Sequence, residues 1–256
     1  MKIINMRSTV LVAMLLTVGA QNAFAQKMEG EITYEKTYRW ITIFSKLSFM
    51  SNEEKDRMKM SWANMDENKQ DMILLFNEKQ TYYSFPKNEE NTEGWVWRKG
   101  EFNIYRDLEN EKRIDILDML GRTYIIEDSL KAPKWKVMNK IKEVAGYMCM
   151  MAVSEDTVKK QKVVAWFADN LPVSGGPEFF SGLPGMILEM ELNDGDVVVT
   201  AKKVEMKPVK EEDLSVPKKT KGRKIDAAKY DQLIAEHIRD SIKSHRYPYN
   251  AVPYPN

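Results

Sequence analysis

A chain of 256 residues with 39 lysines and arginines against 38 aspartates and glutamates carries almost no net charge, which argues against nucleic acid as a partner. Its one cysteine, Cys149, makes an internal disulfide impossible. Stability has to come from a packed core, and a chain of this length can bury one.

The first 25 residues have the pattern of an export signal. Lys2 and Arg7 precede an apolar run from Val10 to Val18, and Ala23-Phe24-Ala25 offers small residues for cleavage. The mature chain is expected to begin at Gln26, in the periplasm or secreted beyond it. The apolar run is too short to span a bilayer, and no cysteine follows the cleavage site to carry a lipid, so no transmembrane segment is expected in the mature chain. Lys2 and Arg7 leave with the signal, which moves the formal charge from +1 to about −1.

Residues 26–206 are expected to form one antiparallel β domain. Glu31 to Glu35 alternates polar with apolar, and Arg57 to Trp62 does the same, setting Met58, Met60 and Trp62 on one face. Similar runs recur at Met72 to Phe76, Thr81 to Phe85, Arg122 to Glu127, Lys162 to Phe167, Met186 to Leu192 and Val197 to Val204, with turn formers such as Gly121 and "NDGD" between them. Residues 41–56 and 107–120 also fit helical spacing. Many short strands without intervening helices predict a mainly β fold, a curved antiparallel meander sheet or open barrel. Residues 207–225 read as an exposed, charged linker with little to bury. Residues 226–244 follow as a C-terminal amphipathic helix, capped by Asp226, with Tyr230, Ile234, Ile238 and Ile242 every fourth residue. Residues 245–256 read as an extended tail rich in tyrosine and proline.

One stretch interrupts the alternation: "LPVSGGPEFFSGLPGMILEMEL", Leu171 to Leu192. Leu183-Pro184-Gly185-Met186 fits a type II turn, with proline at its second position and Gly185 at positive φ. The turn feeds a strand with Met186, Leu188, Met190 and Leu192 on one face and Glu189 and Glu191 on the other. Gly175-Gly176-Pro177 is a second turn, and the loop ending at Gly182 presents Phe179 and Phe180. These aromatics either plug one end of the sheet or, with Trp166 and Tyr147, line a site for an apolar small molecule.

An enzyme finds little support. The histidines, His237 and His245, both lie near the C-terminus, and the motifs of serine hydrolases, zinc proteases and phosphate-binding loops are missing from the sequence. Cys149 and Met151 in "YMCMM" share a strand face and are soft ligands suited to copper as Cu(I), although methionine as core filling and an inert thiol explain the same residues.

"GYMCMMAV" followed by "VVAWFADNLPVSGGPEFFSGLPGMILEMEL" resembles the GLPGLI family of exported Bacteroidetes proteins, named for a Gly-Leu-Pro-Gly-Leu-Ile motif. "GRTYIIEDSLKAPKWKV" upstream also resembles that family's pattern, and Met186 stands where the motif has leucine. The likeness runs from about residue 30 to 205 and implies an exported β-rich protein in a family without an established activity. Members often lie beside outer-membrane receptors and transport components, which implies such a partner. The expectation is therefore a non-enzymatic envelope binding or accessory module, holding a hydrophobic ligand or a protein partner. The alternative is a copper-binding protein using Cys149 and Met151.

Overall fold

Period-two alternation over most of the chain produces a single twelve-stranded sheet. The structure is a computed structural model that describes residues 27–62, 67–86 and 100–246. The expected signal and residues 247–256 of the expected tail lie outside the described residues.

In chain order the elements are β1 (Gly30–Arg39), α1 (Trp40–Ser45), α2 (Asn52–Trp62), β2 (Glu67–Phe76), β3 (Gln80–Ser84), β4 (Phe102–Asp107), β5 (Lys112–Met119) and β6 (Arg122–Ser129). There follow β7 (Lys136–Val144), β8 (Tyr147–Asp156), β9 (Gln161–Ala168), β10 (Met186–Leu192), β11 (Val197–Met206), α3 (Glu211–Leu214), β12 (Arg223–Ile225) and α4 (Ala227–Lys243). The spatial order is β12-β6-β5-β4-β3-β2-β1-β11-β10-β9-β8-β7. Strands β1 to β6 form one meander and β7 to β11 another. Antiparallel pairing of β1 with β11, from Gly30↔Met206 to Tyr38↔Val197, fuses them. The sheet is open, with β7 at one edge and β12, paired parallel to β6, at the other.

The alternation gives the sheet two apolar faces over part of its width. One carries the main core, including Tyr34, Phe76, Tyr83, Ile126, Phe167 and Met190. The β9–β10 loop and α4 add Phe180, Leu183, Tyr230 and Ile234 to it. The opposite face of β2 to β6 carries a smaller cluster of Leu75, Tyr82, Tyr105, Ile116 and Ile125, closed by Leu214. Residues 207–225 are therefore not a linker with little to bury. The sheet's second apolar face needs cover, and Val209, Leu214 and Val216, spaced among charges, supply it while the charges stay in water.

Arg57 to Trp62 is helix, not strand, and Met60 is 82% exposed. Ser51 and Glu54 form a reciprocal cap: the Glu54 N–H donates to Ser51 Oγ at 3.2 Å, and the Ser51 N–H donates to Glu54 Oε2 at 2.8 Å. That box opens a run of good helix formers, which outweighs a short accidental alternation. Of the two ambiguous segments, 41–56 is largely helical while 107–120 supplies β5. Strands β4 and β7 have no counterpart among the expected strands.

Helix α4 starts on Asp226, whose carboxylate accepts from the Lys229 N–H at 2.7 Å. Asp128 of β6 accepts from the Ala227 N–H at 2.9 Å, so one carboxylate caps the helix and a second ties its N-terminus to the sheet. Among the described residues, no helix is long and apolar enough to cross a membrane.

Candidate functional site

The site grows from the loop between β9 and β10, which lies on the main-core face. The Met186 N–H donates to the Leu171 carbonyl at 2.9 Å, and the Ile187 N–H to the Gly175 carbonyl at 3.0 Å. Trp135 Nε1 donates to the Ser181 carbonyl at 2.9 Å from the chain ahead of β7. Gly185 is not at positive φ, so the expected type II turn is corrected. Glycine is needed there because a Cβ would overlap the carbonyl oxygen of Ala168, where the loop presses on the end of β9. The left-handed position is Gly182, at φ +92°, where a side chain would also collide with Ala132. Pro184 lies exposed between them.

Glu178 is also left-handed, at φ 57°, and its buried carboxylate lies against the sheet. Lys36 Nζ of β1 donates to Glu178 Oε1 at 2.6 Å, and the Tyr83 hydroxyl of β3 donates to the same oxygen at 3.2 Å. Burial alone would push the Lys36 ammonium down, but the Glu178 carboxylate together with Tyr38 outweighs it and holds the pKa above its ordinary value. Lys36 Nζ also lies 5.6 Å from the Phe102 ring centre. A second buried cation, Lys159, lies 4.7 Å over the ring of Phe179 and 3.6 Å from Asp156. On β4 and β5, fully buried Asp115 accepts from both Arg106 and Arg113.

Each of these charges has an opposite partner, and the Lys36–Glu178 pair ties the loop to β1. Sequence reasoning missed all of them, though a signal was present. Lys36 continues the apolar face of Ile32 and Tyr34, and Asp115 that of Leu117 and Met119.

The residues expected to line a ligand site all border the main core but meet different neighbours. Phe180 is buried with its ring 6.2 Å from that of Trp135, while Phe179 packs against Phe102 at 6.1 Å and Tyr230 at 6.4 Å. Trp166 points to the other face from its core neighbour Phe167, and Lys142 Nζ lies 4.3 Å over its ring. Tyr147 is half-buried at the start of β8.

Cys149 and Met151 share a face of β8, opposite Lys142 and Met138 of β7. The Cys149 thiol is buried and contacts the Tyr147 carbonyl at 3.5 Å. Burial pushes its pKa up to about 11, against the opposing pull of Lys142. Burial thus disfavours the thiolate, the form that binds a soft metal.

Residues 153–189, from late β8 through β9 and the loop into β10, match Porph_ging, described as a protein of unknown function. The match contains Glu178, Phe179, Phe180, Gly182 and Gly185. No curated protein matches. Among solved structures, PNGF-II in two crystal forms is similar at 17% identity and a TM-score of 0.53, over 80% of this chain and 32% of that one. The chain thus spans about a third of that protein's length, and the likeness shows a shared fold. An uncharacterized conserved protein from Thermus thermophilus aligns over 77% of this chain and 90% of its own at 7% identity and a TM-score of 0.34, too distant to carry an argument.

Proposed function

We propose that the chain is an exported, non-enzymatic accessory module of the bacterial envelope, of the GLPGLI type, that acts by holding a protein partner on its exterior. The observation that carries this reading is the packing of Phe179 and Phe180 against Phe102, Trp135 and Tyr230. The chain's own loop and terminal helix occupy the place where a hydrophobic guest was expected, which favours recognition at the surface. An outer-membrane receptor or transport component in the periplasm, or a partner met after secretion, fits this role. The paired state of Lys36, Glu178, Arg106, Asp115 and Arg113 supports a structural use of the buried charges rather than acid-base chemistry. Copper binding through Cys149 and Met151 gains no support from the raised thiol.

In-cell photo-crosslinking tests this reading. A photoreactive residue at exposed Met148 in the full chain is expected to give one adduct of defined size, identified by peptide sequencing. The same residue at buried Phe180 is expected to give intramolecular products only. Adducts at neither position would contradict the reading.

A further inference from the structure

We propose that the free edge of β7 takes up an extended acidic segment of that partner as a thirteenth strand, an inference that rests on the partner being a protein. One side of β7 is hydrogen-bonded to β8, and the other pairs with no strand among the described residues. Its main-chain groups offer a template for strand addition.

Side chains along this edge specify what would fit. Val137 lies opposite Ala152, Ile141 opposite Met150 and Glu143 opposite Met148. Since Met148, Met150 and Ala152 alternate along β8, Val137, Ile141 and Met148 lie on one face. They are 52%, 68% and 53% exposed, and they are three of the six most exposed large apolar side chains among the described residues. Between residues 131 and 142 the chain has five lysines and no acidic residue. Lys142 is taken by Glu189, whereas Lys134, Lys136 and Lys140 are exposed and make no ion pair among the described residues.

Lysines and the β7 bulge between Met138 and Ile141 are also common protection against edge-to-edge aggregation. Here the two roles coincide. A second copy presenting the same edge would bring together two strands that each carry Lys136, Lys140 and Lys142 against a single acid, Glu143, whereas an acidic strand meets complementary charge throughout. An anionic lipid surface would satisfy the lysines but leave the strand's amides and carbonyls unpaired. The matching segment alternates apolar residues, beside Val137 and Ile141, with acidic residues on the face of Lys136.

The test uses the full chain and a fluorescein-labelled ten-residue peptide that alternates valine or threonine with glutamate. Its counterpart carries lysine at the glutamate positions. The acidic peptide is expected to bind about tenfold or more tightly than the basic one at low salt, and to slow amide hydrogen exchange within residues 136–144. The double variant Lys136→Glu/Lys140→Glu is expected to reverse the preference. Equal binding of both peptides, binding of neither, or acidic-peptide binding that leaves β7 exchange unchanged would overturn the inference. If that happened while Met148 still crosslinked to one protein in cells, strand addition alone would fail and the partner reading would stand.

Discussion

At the scale of single residues, the Lys36–Glu178 pair shows how a charge can be kept inside an apolar layer. Each partner is buried, and each removes the cost that the other would otherwise incur. Lys36→Met leaves Glu178 with the Tyr83 hydroxyl, and Glu178→Leu leaves a buried ammonium with Tyr38 and the Phe102 ring but no carboxylate. Each single change is expected to cost about 3–5 kcal/mol in denaturant unfolding, and the double change far less than the sum of the two. Additive losses would show that the two side chains do not support each other. Cys149 gives a pH test. Its thiol holds its proton more tightly in the fold than its ordinary value of 9.0. It therefore stabilises the fold at pH below about 9, and the contribution is lost as pH rises toward about 11. Cys149→Ala is expected to flatten that part of the stability profile, and native Cys149 to resist alkylation at pH 8 until the chain unfolds. Rapid alkylation of the folded protein would contradict this environment.

Among the elements, α4 shows why a visible pattern can still mislead about contacts. Tyr230, Ile234, Ile238 and Ile242 recur every four residues, but a helix turns once in about 3.6, so the stripe rotates by about 40° per step. Tyr230 and Ile234 are buried, Ile238 and Ile242 only partly, and Ser241 takes the inner position instead. Ile234→Ala is accordingly expected to cost about 2–4 kcal/mol. Ile242→Ala should cost less than half of that in the same unfolding assay, and equal losses would contradict the packing. The strands were legible wherever alternation ran for five residues or more, as in β1, β10 and β11. Helix α2 was hidden because Met58, Met60 and Trp62 mimic a strand face, although the Ser51–Glu54 box was there to be read. The crossing at 207–225 was hidden because a few apolar residues among many charges look like linker until the sheet face beneath them is known.

For the whole molecule, the decisive feature is the join of β1 to β11, which sets two meanders side by side in one open sheet. That join was not legible, because alternation reports a strand's faces and says nothing of its neighbours. The site was partly legible for the same reason. Lys36 stands out on an apolar face, but its partner Glu178 is 142 residues further along the chain. Packing places the loop's aromatics in the chain's own core and leaves exposed apolar side chains at the β7 edge, and the proposed role follows from that contrast. Native mass spectrometry of the full chain, recovered gently from an expressing cell, is the most direct test. The account predicts the bare mass of the exported chain, alone or with a protein attached. A retained mass of a few hundred daltons would contradict it by showing a hydrophobic guest inside, and a copper-sized mass lost in Cys149→Ser would contradict it in favour of metal binding.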